Sequence, residues 1–142
     1  MVTSPGFAAL VATLVLATAV GLVLRARNGR LRTGGSATGG WALAGHTPQN
    51  ADRVLLLQLS SPVCTPCRQT AALLTDFAAA RPGVVHREID VADRPDIARE
   101  LDVMRTPTVV AFGRDGGELL RFSGVPRPSD LELRLAGELG PA

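Results

Sequence analysis

The sequence predicts an α/β domain behind an N-terminal membrane-spanning helix. An uncharged apolar run of eighteen residues, Phe7 to Leu24, stands near the N-terminus. From about Ala51 onward, short apolar runs typical of buried strands alternate with longer stretches of helical periodicity. We therefore divide the 142 residues into an anchor with its basic flank (1–27), a flexible linker (28–50) and a folded domain (51–142).

The apolar run is long enough to cross a bilayer. As an α-helix it would measure about 27 Å, close to the thickness of the hydrocarbon core. No basic residue precedes it, and Arg25, Arg27, Arg30 and Arg32 follow at once, which is a stop-transfer pattern and not that of a cleaved signal peptide. A buried helix of a soluble domain would have a polar face, and this run has none. We expect a retained single span in contact with the lipid bilayer.

The basic flank also predicts the orientation of the chain. Arginines follow the span and none precedes it, so the positive-inside rule places the domain in the cytoplasm, with the extracytoplasmic face as the alternative. The net charge of +2 is too small to predict nucleic-acid binding. Asn28 to Gln49 is rich in Gly, with several Thr and Arg, and is typical of a flexible tether. Trp41, inside it, either packs on the domain or lies at the membrane interface.

The domain contains seven predicted elements. Apolar runs predict the strands, and 3.6-residue periodicity predicts the helices. Asp93 is expected to cap the second helix, and Ser129 to begin a capping box at the last one. The Gly-rich segment 113–117 predicts a hairpin. In order, the elements are the strand Val54–Leu59, the helix Thr65–Ala80, the strand Val84–Val91, the helix Asp93–Leu101, the strands Thr108–Phe112 and Glu118–Ser123, and a helix from Ser129 onward.

The motif Cys64-Thr65-Pro66-Cys67 contains both cysteines of the chain and stands between a predicted strand and a predicted helix. A cysteine at a helix N-terminus faces unpaired backbone N–H groups and the positive end of the helix dipole, which favour the thiolate. Thiol–disulfide exchange is the indicated chemistry. Inert core cysteines are one alternative. A zinc site is the other, but it lacks ligands because His46 and His86 stand far apart in sequence, so we expect no metal.

From about Ala51 to Leu139 the chain resembles the thioredoxin family. Besides the cysteine motif after a buried strand, Asp90 ends the next strand, Thr106-Pro107-Thr108 precedes the hairpin and Gly124 follows it. The resemblance implies a thioredoxin-like fold, with a central mixed sheet flanked by helices. The family's first strand and helix are hard to find before the domain, and we expect them to be shortened or missing.

The resemblance implies a role for each residue of the motif. Cys64 would be the attacking thiolate and Cys67 the resolving thiol, so that the redox-active disulfide does the chemistry without a cofactor. Pro66, preceded by Thr65, would shape the start of the helix.

The resemblance also implies a substrate-binding surface. Pro107 would be the family's cis-proline, which sets the backbone of Thr106 beside the first cysteine to pair with an extended substrate. Gly124 would let the substrate backbone approach closely. An ordinary turn is the alternative at both places.

Two positions depart from the family pattern, and a third bears on the consequence. Val63 stands where an aromatic Trp usually precedes the first cysteine, and Gln58 stands where a buried Asp is common. An amide cannot accept a proton as a carboxylate can, so either Cys67 would lose its proton to water or the resolving step would be slower. His86 falls where a basic residue often lies on the next strand; it is either a surface imidazole or a proton relay, and we favour the first.

We therefore predict a membrane-tethered thiol–disulfide oxidoreductase that reduces or exchanges disulfides in protein substrates through Cys64 and Cys67. By resemblance, its electron donor would be a thioredoxin reductase, or a membrane electron carrier if the domain faces outward. The alternative is a non-catalytic thioredoxin-fold interaction module or a redox sensor at the membrane, which the departures at Gln58 and Val63 favour.

Overall fold

The computed structural model describes residues 5–27, 32–35 and 39–139. Its elements confirm the predicted order of strands and helices in the domain. They are α1 (Pro5–Arg27), β1 (Arg32–Gly35), α2 (Gly40–Leu43), β2 (Val54–Ser60), α3 (Thr65–Ala79), β3 (Val84–Asp90), α4 (Pro95–Glu100), β4 (Thr108–Gly113), β5 (Glu118–Ser123) and α5 (Pro128–Leu139).

The strands of the described residues form one mixed sheet in the order β1-β5-β4-β2-β3. β2 pairs with β3 in parallel and with β4 antiparallel. β4 and β5 form the predicted antiparallel hairpin, and β1 adds to the far side of β5, also antiparallel. Because α3 connects the parallel pair, β2, α3 and β3 make the βαβ unit that the sequence predicts.

The sheet carries an apolar core on each face, which explains why β2 reads as a continuous apolar run. Its side chains alternate between the faces. Beneath α3 and α5 lie Val54, Leu56, Leu74, Phe77, Val84, Val109, Ala111, Leu120, Phe122, Leu131 and Leu135. On the other face, beside α2 and α4, lie Trp41, Leu55, Leu57, Leu59, Ile97, Leu101, Val110 and Phe112.

The first strand and helix of the domain are short, as expected. β1 has four residues and α2 is a single turn. Trp41 on α2 is buried in the core, and its Nε1 donates a 2.7 Å hydrogen bond to the carbonyl of Gly113. Gly40, just before it, lies so close to Phe112 that an added Cβ would stand 2.1 Å from the ring. This part of the predicted linker therefore packs on the domain, whereas residues 28–31 and 36–38 lie outside the described residues.

Two helices begin away from their predicted caps. α4 begins at Pro95, and Arg94 holds the N-cap position without a side-chain bond, so Asp93 does not cap the helix. α5 begins at Pro128, which puts Ser129 inside the first turn. In both helices a proline takes the first position, where its fixed φ suits a helix and its missing N–H loses no bond.

Among the described residues, α1 is the single helix long and apolar enough to cross a membrane. Its window Gly6–Val23 has a mean hydropathy of 2.3, and none of it is buried. The hydroxyls of Thr13 and Thr18 donate to the carbonyls of Ala9 and Leu14, at 2.9 and 2.8 Å, so their polar groups are satisfied within the helix. The helix is consistent with a single span, although a signal sequence has the same properties.

Candidate active site

Cys64 and Cys67 form a disulfide at the start of α3, with their Cα atoms 5.2 Å apart. Cys64 is the N-cap residue, and its Sγ accepts a 3.1 Å hydrogen bond from the backbone N–H of Cys67. Cys67 is only 2% exposed, whereas Cys64 is partly exposed. A sulfur atom from another protein therefore reaches Cys64 and not Cys67. The N–H groups of the first helical turn are placed to stabilise negative charge on the reachable sulfur.

The two residues between the cysteines lie in the first turn of α3. Both are exposed. Pro66 has no N–H, so the turn leaves no donor unpaired there. The hydroxyl of Thr65 accepts a 3.1 Å hydrogen bond from the guanidinium of Arg68. That bond places a cation on the same turn as the disulfide.

Two further loops lie near the disulfide loop (residues 61–64): the loop before β4 (residues 101–107) and the loop after β5 (residues 124–127). The peptide bond between Thr106 and Pro107 is cis, as expected. The hydroxyls of Thr106 and Ser61 lie 3.1 Å apart, and the N–H of Gly124 donates a 2.9 Å hydrogen bond to the carbonyl of Pro107. Gly124 has a φ of 87°, a left-handed conformation that favours glycine. The structure thus brings Thr106, Pro107 and Gly124 together.

Exposed apolar side chains stand on all three loops. Val63 is 94% exposed, Met104 is 88% exposed and Val125 is 38% exposed. Isolated exposed apolar residues are common, but these three lie on adjoining loops around one disulfide. They offer apolar contact area to a docking protein.

An open cleft of about 440 Å³ lies beside the disulfide. It is mainly polar in its chemistry, and its charged groups are mostly acidic. Its lining includes Cys64, Cys67, Arg68, Glu88, Asp90 and Asp93. Asp90, which the sequence places at the end of β3, also accepts a 2.8 Å hydrogen bond from the N–H of Ala92.

A buried polar network lies beneath Cys67. Gln58 on β2 is fully buried, and its Nε2 donates to the carbonyl of Cys67 at 2.9 Å and to the hydroxyl of Ser60 at 2.8 Å. The same nitrogen lies 3.2 Å from Oε1 of Glu88, which accepts a 2.5 Å hydrogen bond from the Ser60 hydroxyl. Gln58 thus connects the backbone of the second cysteine to a carboxylate on the next strand.

His86 belongs to this network, and its interpretation as a surface imidazole is wrong. The ring is half-buried, and its Nε2 lies 3.1 Å from Oε1 of Gln58. Its Nδ1 lies 3.3 Å from the hydroxyl of Thr75. Burial lowers the pKa of His86 below the ordinary 6.5, and the charge of Glu88 opposes that shift. A neutral ring that donates from Nε2 and accepts at Nδ1 satisfies both contacts.

Within residues 5–27, 32–35 and 39–139, no three His, Cys, Asp or Glu side chains are grouped to hold a metal ion. The two histidines have other partners. Nε2 of His46 lies 3.1 Å from the carboxylate of Asp52, and His86 contacts Gln58. Neither lies beside the cysteine pair as a ligand would.

Sequence reasoning missed Ser60 and Glu88. A signal was available, because the predicted strands begin at Val54 and Val84 and were expected to lie side by side. Parallel pairing in that register sets Gln58 opposite Glu88, with both side chains on one face. The contact of Ser60 with Glu88 depends on side-chain positions and not on register alone.

Comparison with known proteins agrees with this geometry. Residues 46–136 match the thioredoxin family model. Thioredoxin H10 of Arabidopsis thaliana is 30% identical over 87 residues, which cover 61% of this chain and 55% of that protein. A thioredoxin H-type of Oryza sativa subsp. indica is 28% identical over 92 residues, covering 65% of this chain and 74% of that protein. This chain thus spans about half the length of the Arabidopsis relative.

Solved structures show the same likeness. The oxidised mitochondrial thioredoxin 3 of Saccharomyces cerevisiae is 33% identical, with a TM-score of 0.51 over 58% of this chain and 76% of that one. The thioredoxin of Fasciola hepatica is 28% identical, with a TM-score of 0.55 over 63% of this chain and 84% of that one. Because the family match covers more than half of its residues, the chain belongs to the thioredoxin family, whose members carry electrons on their own redox-active disulfide.

Proposed function

We propose that the protein is a membrane-tethered thiol–disulfide oxidoreductase that reduces or exchanges disulfides in protein substrates. One observation carries the proposal: the partly exposed Cys64 at the N-terminus of α3 is disulfide-bonded to the buried Cys67. An accessible sulfur stabilised by a helix terminus, with a second sulfur held within bonding distance, suits two-step exchange. Membership of the thioredoxin family supports the same chemistry.

Reduction of a substrate takes place in two exchange steps. The Cys64 thiolate attacks one sulfur of the substrate disulfide, forming a mixed disulfide and releasing the other substrate sulfur as a thiolate. The Cys67 thiol then loses its proton and attacks Sγ of Cys64. This step forms the Cys64–Cys67 disulfide and releases the second substrate thiolate. The substrate is reduced by two electrons, and the protein is left in the oxidised state described above.

Substrate binding would use the loops around the disulfide. Backbone groups of Thr106 and Gly124 beside the cis-proline suit an extended substrate segment, which binds by main-chain hydrogen bonds. Val63, in place of the family's usual Trp, supplies a smaller apolar contact. Thr65 and Pro66 shape the helix start, and the buried Gln58 supports Cys67 from below.

The proposed location rests on the N-terminal segment, and the proposed electron donor depends on that location. The exposed apolar window Gly6–Val23 of α1 and the arginines that follow it in the sequence support an anchor with the domain on the cytoplasmic side. The extracytoplasmic side is the alternative. On the cytoplasmic side a thioredoxin reductase would return the disulfide to the dithiol, and outside a membrane electron carrier would do so.

The catalytic proposal is tested with the full-length protein in detergent. Insulin reduction driven by a small dithiol is followed for the wild type, for Cys64→Ser and for Cys67→Ser. We expect both variants to be inactive, and only Cys67→Ser to accumulate a mixed disulfide with substrate because its resolving thiol is missing. If the wild type forms a stable internal disulfide but does not turn over insulin, the redox sensor or interaction module, which the departures at Gln58 and Val63 favour, replaces the enzyme.

The tether is tested in cells. Membranes are extracted with alkaline carbonate, which releases proteins that are not inserted in the bilayer. We expect the full chain to stay in the pellet and a variant lacking residues 1–27 to be released. A membrane-impermeant thiol reagent should label Cys64 only after lysis. Labelling of intact cells would place the domain outside, and a shortened mature chain would identify α1 as a signal sequence.

A further inference from the structure

The resolving step poses a specific chemical problem in this protein. Cys67 is 2% exposed, so its thiol has little direct access to solvent except through the cleft beside it. The side chain beneath it, Gln58, is an amide and cannot take up a proton. The resolving thiol nevertheless has to become a thiolate, because the thiolate is the nucleophile.

His86 is not placed to accept this proton. Both of its ring nitrogens are engaged, Nε2 with Oε1 of Gln58 and Nδ1 with the hydroxyl of Thr75. Neither nitrogen has a hydrogen bond to Cys67 or Cys64. Burial also disfavours the charged form of the ring.

Glu88 is the carboxylate that the network connects to Cys67. It lies opposite Gln58 in the parallel pair of β2 and β3, and it lines the same cleft as Cys67. Its Oε1 lies 2.5 Å from the hydroxyl of Ser60 and 3.2 Å from Nε2 of Gln58. These two donors hold the carboxylate in place.

The two other carboxylates of the cleft are less well placed. Asp90 already accepts the N–H of Ala92, which fixes it in the turn after β3. Asp93 follows in that turn and has no hydrogen bond to Gln58 or Ser60. Glu88 alone among the three shares a donor with the Cys67 carbonyl, through the amide nitrogen of Gln58.

We propose that Glu88 accepts the proton of the Cys67 thiol, through a water molecule of the cleft, when Cys67 attacks the mixed disulfide. The proton moves from Sγ of Cys67 to water as water gives a proton to the Glu88 carboxylate. The Cys67 thiolate then bonds to Sγ of Cys64, the mixed disulfide breaks, and the substrate sulfur leaves as a thiolate. Glu88 afterwards returns the proton to the released thiolate or to solvent, so charge and atoms balance. The inference rests on the proposed function.

In this assignment Ser60 and Gln58 are positioning residues, since they touch the carboxylate and not the reacting sulfur atoms. Where the family commonly has an Asp, on β2, this protein has Gln58, and its carboxylate, Glu88, lies on the neighbouring strand β3. Because the amide of Gln58 still bonds to the Cys67 carbonyl, the helix start remains supported without a charge at position 58.

The experiment separates the two exchange steps. The reduced full-length protein in detergent is mixed in a stopped-flow instrument with a single equivalent of Ellman's reagent. The first burst of thionitrobenzoate reports attack by Cys64, and the second reports attack by Cys67 on the mixed disulfide. A wild type without the first burst would refute the proposed function itself. If a Glu88 variant has a normal first burst, its second burst tests the role of Glu88 separately from the proposed function.

The decisive variant is Glu88→Gln, which keeps an acceptor for Ser60 but cannot take a proton. We expect an unchanged first burst and a second burst slowed about tenfold or more at about pH 7, the scale of lost acid–base catalysis. The deficit should shrink towards about pH 9, where thiols ionise without a base. The other charged or titratable groups that face the cleft or the carboxylate are Arg68, Asp90, Asp93 and His86.

Two further variants control for charge and for structure. Asp93→Asn removes the same charge from the same cleft, and we expect its second burst to match the wild type. The double variant Gln58→Glu with Glu88→Gln exchanges amide and carboxylate between the paired positions, and we expect it to regain much of the lost rate. A second burst in Glu88→Gln as fast as the wild type's, a slowing as large in Asp93→Asn, or a deficit that persists at high pH would each overturn the proposal.

Discussion

The indole Nε1 of Trp41 donates a 2.7 Å hydrogen bond to the carbonyl of Gly113, which lies 72 residues further along the chain at the end of β4. The ring joins the core formed by Leu55, Leu57 and Phe112 on one face of the sheet. A single helical turn, and not a full helix, therefore closes the start of this domain.

Replacing Trp41 with Ala should destabilise the domain strongly. The change removes a buried aromatic side chain and leaves the Gly113 carbonyl without this donor, so we expect a loss of about 3–5 kcal/mol in the free energy of unfolding. Trp41→Phe keeps most of the packing and should cost less. Urea unfolding of the oxidised protein in detergent, followed by circular dichroism, measures both. Leu133→Ala on α5 is the control, because Leu133 is 78% exposed. Equal unfolding midpoints for Trp41→Ala and Leu133→Ala would contradict the placement of Trp41 in the core.

Gly40→Ala and Gly137→Ala should have opposite effects. A Cβ at position 40 would lie 2.1 Å from the Phe112 ring, within the buried core, so we expect a loss of about 1–3 kcal/mol. At position 137 in α5 nothing lies within 4 Å of the added Cβ, and Ala should stabilise the helix by about 0.5–1 kcal/mol. Thermal unfolding of the two variants side by side gives the signs. A stabilising Gly40→Ala would mean that α2 does not pack against Phe112.

The fold of the domain could be predicted where local pattern and tertiary structure agree. The apolar run of β2 and the helical stripe with Leu74 and Phe77 identify their elements because each buries a regular face. Trp41 could not be placed, because a lone apolar residue among glycines has no periodicity and all its stabilising contacts are distant in sequence. The predicted caps Asp93 and Ser129 were wrong because a proline near each fixes the helix start.

The candidate site was predictable to a similar extent. The cysteine pair and the cis-proline follow from a motif and its spacing, since both depend on a few neighbouring residues. The network of Ser60, Glu88 and His86 could not be predicted in the same way. Its contacts depend on the register of β2 and β3 and on the rotamers of polar side chains. From the sequence, Gln58 indicates that the site has no carboxylate beneath Cys67. The structure shows that Glu88, on the neighbouring strand β3, supplies a carboxylate beside Gln58.

Val63→Ser should weaken substrate binding without affecting the fold. Val63 is 94% exposed beside Cys64, so its side chain contributes little to stability but adds apolar area for a docking protein. We expect kcat/KM for insulin reduction to fall about three- to tenfold, mainly through KM, with an unchanged melting temperature. Leu133→Ser, which also removes an exposed apolar side chain but on α5, should behave as the wild type. A matching loss in both variants would show that the effect is not specific to the disulfide loop.

His86 should make the oxidised protein less stable as the pH falls. Its pKa is lowered below the ordinary 6.5 chiefly by burial, so between the two values the unfolded chain binds a proton that the folded protein does not. Unfolding then takes up a proton, and the stability present above pH 6.5 is lost as the pH falls towards the folded value. His86→Gln removes the titrating group but keeps a donor for Gln58. We expect the stability of this variant, measured by urea unfolding, to depend less on pH than that of the wild type between about pH 7 and pH 5. Parallel curves for the two proteins would mean that the ring is not held neutral in the fold.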